Sequence, residues 1–244
     1  MAVRRDAELA GAVETAVRGH AGGVSVAVLD ETAGTRASYA SGPGTYDTAS
    51  IVKVDVLAAS LLRAQDEGRA PTARERAYAA AMIQNSDNDA TTVLWKELGG
   101  AAGLDAANER LGLTATSGGA DGLWGLTQTT ADDQLALLEQ VFGVSEGPVL
   151  AEAARAYVQG LMGNVRGDQV WGVSAAGDGA ELKNGWLPRG TTGLWVVNSI
   201  GRVRVEGRRY LLAVVSHGSA TKDAGIALVE GVARAAVPVV SGGA

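Results

Sequence analysis

The chain has 244 residues, 46% of them apolar and 20% charged, which suits one large domain or two closely packed ones with a sizeable core. A net charge of -6, with no basic run and no basic–aromatic interleaving, argues against nucleic acid or an anionic membrane as partner. There is no cysteine, which excludes disulfides, thiol nucleophiles and thiolate metal sites, and the two histidines, His20 and His217, cannot form a multi-histidine zinc site unaided, so no metal is expected.

Apolar Leu9, Val13 and Val17 recur at helical spacing within 5–19. Asp6, Glu8 and Glu14 interrupt the region where a signal peptide needs unbroken apolar residues. No run reaches the ~20 apolar residues of a membrane span, so the chain reads as soluble, with its compartment open. "GVSVAVLD" (23–30) and "TRASYAS" (35–41) read as two strands joined in an antiparallel hairpin. "SIVKVDVLAASLLRAQ" (50–65) reads as a buried helix, and further helices are predicted at 71–84, 88–100 and 101–112. A proline stands near the start of the helix at 71–84, and paired glycines end the one at 88–100. "TATSGGADGLWG" (114–125) is a glycine-rich loop, followed by helices near 129–143 and 147–162. Three strands, 180–186, 193–205 and 208–218, precede a last helix at 220–237.

Strands at both ends of the chain, enclosing a block of helices, predict an α+β fold. Its five-stranded antiparallel sheet would be covered by the terminal helices and carry an inserted all-helical lobe. The expected division is 1–43 with 165–244 as the α/β lobe and 44–164 as the helical lobe, with a ligand cleft between them.

Lysine is rare: Lys53, Lys96, Lys183 and Lys222 are the only four. Two of them fall in apolar surroundings. Ser50 and Lys53, three residues apart, open the apolar helix. There a serine meets the positive end of the helix, and a desolvated lysine can act as its base. The alternative is a serine N-cap followed by a solvated lysine. In "NSDNDA" (85–90), Ser86 and Asn88 offer a proton relay and an amide ligand. The alternative there is a polar helix connection with Ser86 or Asp87 as N-cap. "LKNGW" (182–186) puts Lys183 on an apolar strand; Gly185 allows close approach of a ligand or another backbone, and the Trp186 N–H could pair with that of Ser50 as an oxyanion hole.

In the order S-x-x-K, S-D-N, K-x-G, the set resembles the penicillin-recognising serine hydrolases, and S-D-N points to class A serine β-lactamases and their penicillin-binding relatives. The resemblance implies that Ser50 attacks a β-lactam or acyl-D-alanyl carbonyl to form an acyl-enzyme, with Lys53 as base. Ser86 would pass a proton to the leaving nitrogen, helped by Lys183. Asn88 would hold the substrate amide, Lys183 and Asn184 its carboxylate, and the N–H groups of Ser50 and Trp186 the oxyanion. It implies a small-molecule substrate, no cofactor and a monomer; the family is usually exported.

Three departures matter. Asn184 stands where the family has Thr or Ser. No arginine occupies the next strand's usual carboxylate-pairing place, which leaves Arg189 and Arg166 as candidates. The loop before "TQTTADDQ" lacks the glutamate that activates deacylating water, and its only acid is Asp121. Acylation with weak deacylation is therefore expected. A D-alanyl-D-alanine carboxypeptidase or esterase on the same scaffold is the alternative, and a non-catalytic ligand-binding homologue a further one. No α/β-hydrolase is expected, since "SHGSA" (216–220) makes no nucleophile elbow.

Overall fold

A computed structural model describes residues 4–42 and 44–242. The lobe boundary expected between 43 and 44 falls at Pro43, outside the described residues. The N-terminal helix α1 (Asp6–Ala16) leads into the hairpin β1 (Val24–Asp30) and β2 (Arg36–Ala40). A short strand β3 (Tyr46–Asp47) precedes the helical block α2 (Val52–Asp66), α3 (Ala73–Gln84), α4 (Asn88–Leu98) and α5 (Gly100–Leu111). Then come β4 (Gln128–Thr129), α6 (Ala131–Phe142) and α7 (Glu152–Met162). The chain ends with β5 (Asp178–Pro188), β6 (Trp195–Val205), β7 (Arg208–Ser219) and α8 (Lys222–Ser241).

The five long strands form one antiparallel sheet, as the sequence predicts, and their order is β2-β1-β7-β6-β5. The N-terminal hairpin therefore lies beside the C-terminal β7, and β5 is a sheet edge. β1 is buried along its whole length, and its side chains alternate between two apolar cores. Val24, Val26 and Val28 join Leu9, Val13, Val229 and Val232 beneath α1 and α8. Ala27 and Leu29 join the core built by α2 to α7 on the other face. α8 is long and apolar enough to cross a membrane by length and composition alone. Here its apolar side chains pack onto the sheet.

The short elements differ from the sequence reading. β3 pairs with β4 (Tyr46 with Thr129, Asp47 with Gln128), tying the start of the helical block to the end of the glycine-rich loop. A 3₁₀ turn, Ala49–Ile51, precedes α2, so the helix expected from Ser50 begins at Val52. Two-residue strands and 3₁₀ turns span too few residues to show a period.

Candidate active site

The segment that carries Ser50 is fastened from two sides. Asn198, buried in β6, donates through Nδ2 to Asp47 O and Thr48 O, both at 2.9 Å, and accepts from Ser216 N at 2.9 Å. Gly185 of β5 lies against the same turn. A β-carbon there would stand 2.7 Å from Ser50 N and 2.9 Å from Thr48 O, so only glycine lets the strand approach. The close partner Gly185 admits is thus another backbone, and its expected substrate-binding role becomes one of positioning Ser50. Ala49, just before Ser50, has φ 47°, a left-handed conformation that costs a non-glycine residue about 1–3 kcal/mol. No side-chain hydrogen bond caps the 3₁₀ turn or α2, so the N-cap alternative for Ser50 does not hold.

Lys53 is fully buried. Its Nζ donates to Ser86 O at 2.7 Å, Asn88 Oδ1 at 2.8 Å and Ser86 Oγ at 3.1 Å, and it lies 4.9 Å from the centre of the Trp124 ring. Ser50 Oγ is not among its partners. Lys183, also fully buried, donates to Ser86 Oγ at 3.0 Å and to Asn184 O at 2.9 Å. Two lysines far apart in sequence therefore meet on one serine hydroxyl. Burial lowers Lys53 from 10.5 to about 7, opposed by the charge of Asp87. Burial also lowers Lys183 well below its ordinary value, and the nearby Lys53 charge adds to the shift.

Ser86 holds the link between α3 and α4 with φ 55°. Its neighbour Asp87 caps α4, accepting Ala90 N at 2.7 Å. Asn88 is exposed at the first position of α4. The local alternative for "NSDNDA" is thus correct for Asp87, while Ser86 and Asn88 turn toward Lys53. Asn184 O accepts from Lys183, so that carbonyl points off the β5 edge. Alternate residues of a strand share this direction, and Trp186, two residues on, presents its N–H the same way.

The Asn184 side chain corrects the sequence reading. It is fully buried, and its Nδ2 donates to Gln169 O at 2.8 Å and Trp171 O at 3.0 Å. Both N–H groups are consumed outside the cleft, so the amide is not presented to a substrate carboxylate. Arg189 pairs with Asp47 at 3.0 Å and Arg166 with Asp168 at 3.2 Å; neither lines the cleft. Asp121 is exposed, with φ 54°, and also lies outside the cleft lining.

Ser50 and Asn88 open onto a cleft of about 320 Å³ walled by Leu123, Trp124, Leu126, Trp186 and Leu187. Among the described residues, none that lines it is a carboxylate. A larger groove of about 390 Å³, beside Leu61, Gln65 and Tyr157, lies away from all four hydroxyl and amine groups, so chemistry rather than size selects the smaller one. The sequence reading missed Asn198 and Trp124. Asn198 was visible as an amide inside the apolar run "GLWVVNSIG". Trp124, whose Nε1 donates to Thr92 Oγ1 at 3.2 Å, had no local signal.

A profile described as the beta-lactamase enzyme family matches residues 73–240. The chain belongs to that family. The matched span includes Ser86 and Lys183 and begins after Ser50 and Lys53. The chain is 29% identical over 204 residues to LppW of Mycobacterium tuberculosis, provisionally named a lipoprotein. The match covers 79% of this chain and 62% of that relative, so the chain spans less than two thirds of the curated relatives' length. Among solved structures, a class A beta-lactamase from Bacteroides cellulosilyticus superposes with a TM-score of 0.79 at 16% identity, covering 98% of this chain and 99% of that one. The TLA-3 extended-spectrum beta-lactamase gives 0.82 at 16% identity, over 94% of this chain and 97% of the other. PBP-A gives 0.76 at 22%, over 96% of both, and a mutant of it is known as an acyl-enzyme complex with penicillin G. At these identities the superpositions establish the fold, which agrees with the expected class.

Proposed function

We propose that the protein is a serine acyltransfer enzyme that forms an ester on Ser50 and hydrolyses it slowly. The observation that carries this reading is the meeting of Lys53 and Lys183, both buried and both shifted toward the neutral amine, on Ser86 Oγ beside the cleft that Ser50 enters. The cleft would lie between the sheet and the helical segment 44–164, treated as a cap. In the first step the Ser50 proton passes to neutral Lys53 as Oγ bonds to the substrate carbonyl carbon. A substrate amide taken up by Asn88 would release one of the bonds that hold Lys53 and free its amine for this work. The N–H groups of Ser50 and Trp186 would hold the oxyanion. When the intermediate collapses, Ser86 gives its proton to the departing nitrogen or oxygen and regains one from Lys53, so the net transfer is from Ser50 to the leaving group. Lys183, whose amine accepts or donates at Ser86 according to its own protonation, keeps that relay aligned.

Hydrolysis of the ester needs a base for water, and the cleft lining holds no carboxylate. This favours acylation with weak deacylation, as in a penicillin-binding protein or esterase, over a fast β-lactamase. General-base catalysis contributes about 10²–10⁴ in rate, which is the loss expected in that step. The lipoprotein naming of the LppW relatives supports an exported setting.

Intact-mass spectrometry after mixing with penicillin G tests the reading. A persistent adduct that Ser50→Ala abolishes and Ser216→Ala does not is the expected result. Ser216 is the fitting control, because its hydroxyl is buried and donates to Val197 O. An adduct that survives Ser50→Ala would refute the assignment.

A further inference from the structure

We infer that the cleft takes uncharged acyl esters or amides with an apolar acyl chain, rather than substrates held by a carboxylate. This rests on Ser50 being the nucleophile, as proposed above. Three observations point to it independently.

First, the groups that the sequence offers for a carboxylate are engaged elsewhere. Asn184 turns both its N–H groups onto Gln169 O and Trp171 O behind the strand. Arg189 is paired with Asp47, and Arg166 with Asp168. Lys183 spends its amine on Ser86 Oγ and Asn184 O, in surroundings that oppose its charged form. An anion entering here would lose its hydration with no charged side chain in the cleft lining to replace it.

Second, no charged side chain is among the residues that line the cleft. Leu123 is 55% exposed, and Leu126 and Leu187 extend the same apolar wall. An exposed leucine on a loop over a nucleophile leaves apolar surface in water until a ligand covers it.

Third, the cavity of about 320 Å³ lies at the small end of the range for ligand sites. A short hydrocarbon chain beside the reacting carbonyl suits that volume and that wall. Each methylene taken out of water there adds to transition-state binding. The balance of the step is unchanged: Ser50 Oγ bonds to the acyl carbon, the ester C–O bond breaks, and the alcohol leaves with the proton relayed by Ser86.

Two substrate pairs test this. One is a chromogenic cephalosporin as the free acid and as its methyl ester. The other is p-nitrophenyl octanoate against p-nitrophenyl acetate. Expected is Ser50-dependent acylation at least as fast by the methyl ester as by the acid, with octanoate ahead of acetate by about tenfold or more in kcat/KM. Leu123→Asp should reduce that chain-length ratio several-fold, while Arg189→Ala leaves both comparisons unchanged. A tenfold preference for the free acid, a flat chain-length series, or a selective loss of the free-acid rate in Arg189→Ala overturns the inference. A neutral fluorophosphonate separates the two proposals. If it labels Ser50 while the free acid is preferred, only the substrate class fails. If it does not label Ser50, the nucleophile assignment fails with it.

Discussion

Helix α2 buries two ionisable side chains two residues apart, and they fare differently. Lys53 and Asp55 are both fully buried, and a separation of two residues sends them to opposite faces of the helix. Burial moves both to the same place: Lys53 falls from 10.5 to about 7, and Asp55 rises from 3.8 to about 7. Their partners set them apart. Lys53 meets three oxygen acceptors beside an open cleft. Asp55 meets one amide, Asn108 Nδ2 at 3.2 Å, and leaves Asp55 Oδ1 and Asn108 Oδ1 without a partner. A single proton on the Asp55 carboxyl, shared with Asn108, would satisfy both orphan atoms. The same desolvation thus favours a neutral amine beside an open cleft and a neutral carboxyl beside a single amide within the core.

The comparison breaks most visibly at Lys53. If its neutral amine takes the Ser50 proton, acylation rises with pH through about 7. Lys53→Met then lowers the acylation rate by about 10²–10⁴ and removes that rise. The contribution of Lys53 to stability has the opposite sign to that of Asp55. A lysine whose folded pKa is depressed binds fewer protons folded than unfolded between about 7 and 10.5, so stability climbs with pH across that window. Denaturant unfolding of Lys53→Met should lose its share of the climb, worth up to about 4–5 kcal/mol at roughly 1.4 kcal/mol per unit. A wild-type acylation rate that stays flat between pH 5 and 9 would remove Lys53 as the base.

Asp55 has the reverse sign. Its folded pKa is raised, so the folded state binds more protons than the unfolded between 3.8 and about 7, and stability falls as pH rises through that interval. Asp55→Asn presents a permanent N–H donor to Asn108 Oδ1 in place of the carboxyl proton. It should match the wild type near pH 4 and exceed it by about 3–4 kcal/mol at pH 8. Urea unfolding at the two pH values measures this. Equal stability of the two proteins at pH 8 would mean that Asp55 is ionised without cost, and the proposed carboxyl–amide pairing would be wrong.

The legible part of this site is what local chemistry makes odd. Lys53 and Lys183 stand out because a lysine among valines and leucines needs a reason, and Asp87 followed by a helix announces a cap. The sheet is readable from β1 and β7, whose apolar runs have strand length and end at turns. Asn184 was read against a ligand, and Gly185 against a ligand or another backbone. Each is committed to backbone brought in from elsewhere: Asn184 to residues 169 and 171, Gly185 to the turn at 48–51. Sequence spacing cannot separate these cases, because both demand a small or amide-bearing residue at the same strand position. Trp124 was invisible for a related reason. Its contact with Lys53 spans 71 positions and depends on how a glycine-rich loop folds back.

Trp124 supplies the smallest and sharpest probe of the comparison, since it faces Lys53, while Asp55 is held by Asn108. An ammonium 4.9 Å from an indole centre is stabilised by about 0.5–2 kcal/mol when desolvated. Leucine at this position keeps an apolar cover but has no ring face. Trp124→Leu should therefore lower Lys53 by roughly 0.4–1.5 units beyond its burial shift, moving the acylation midpoint and the start of the alkaline stability climb to lower pH together. The fall in stability between 3.8 and about 7 belongs to Asp55 and should stay where it is. A midpoint that moves upward instead would show that the indole acts chiefly by excluding water. Lys53 would then owe its neutrality to the loop that roofs the cleft rather than to the packing of α2, and the two faces of the helix would differ in what buries them as well as in their partners.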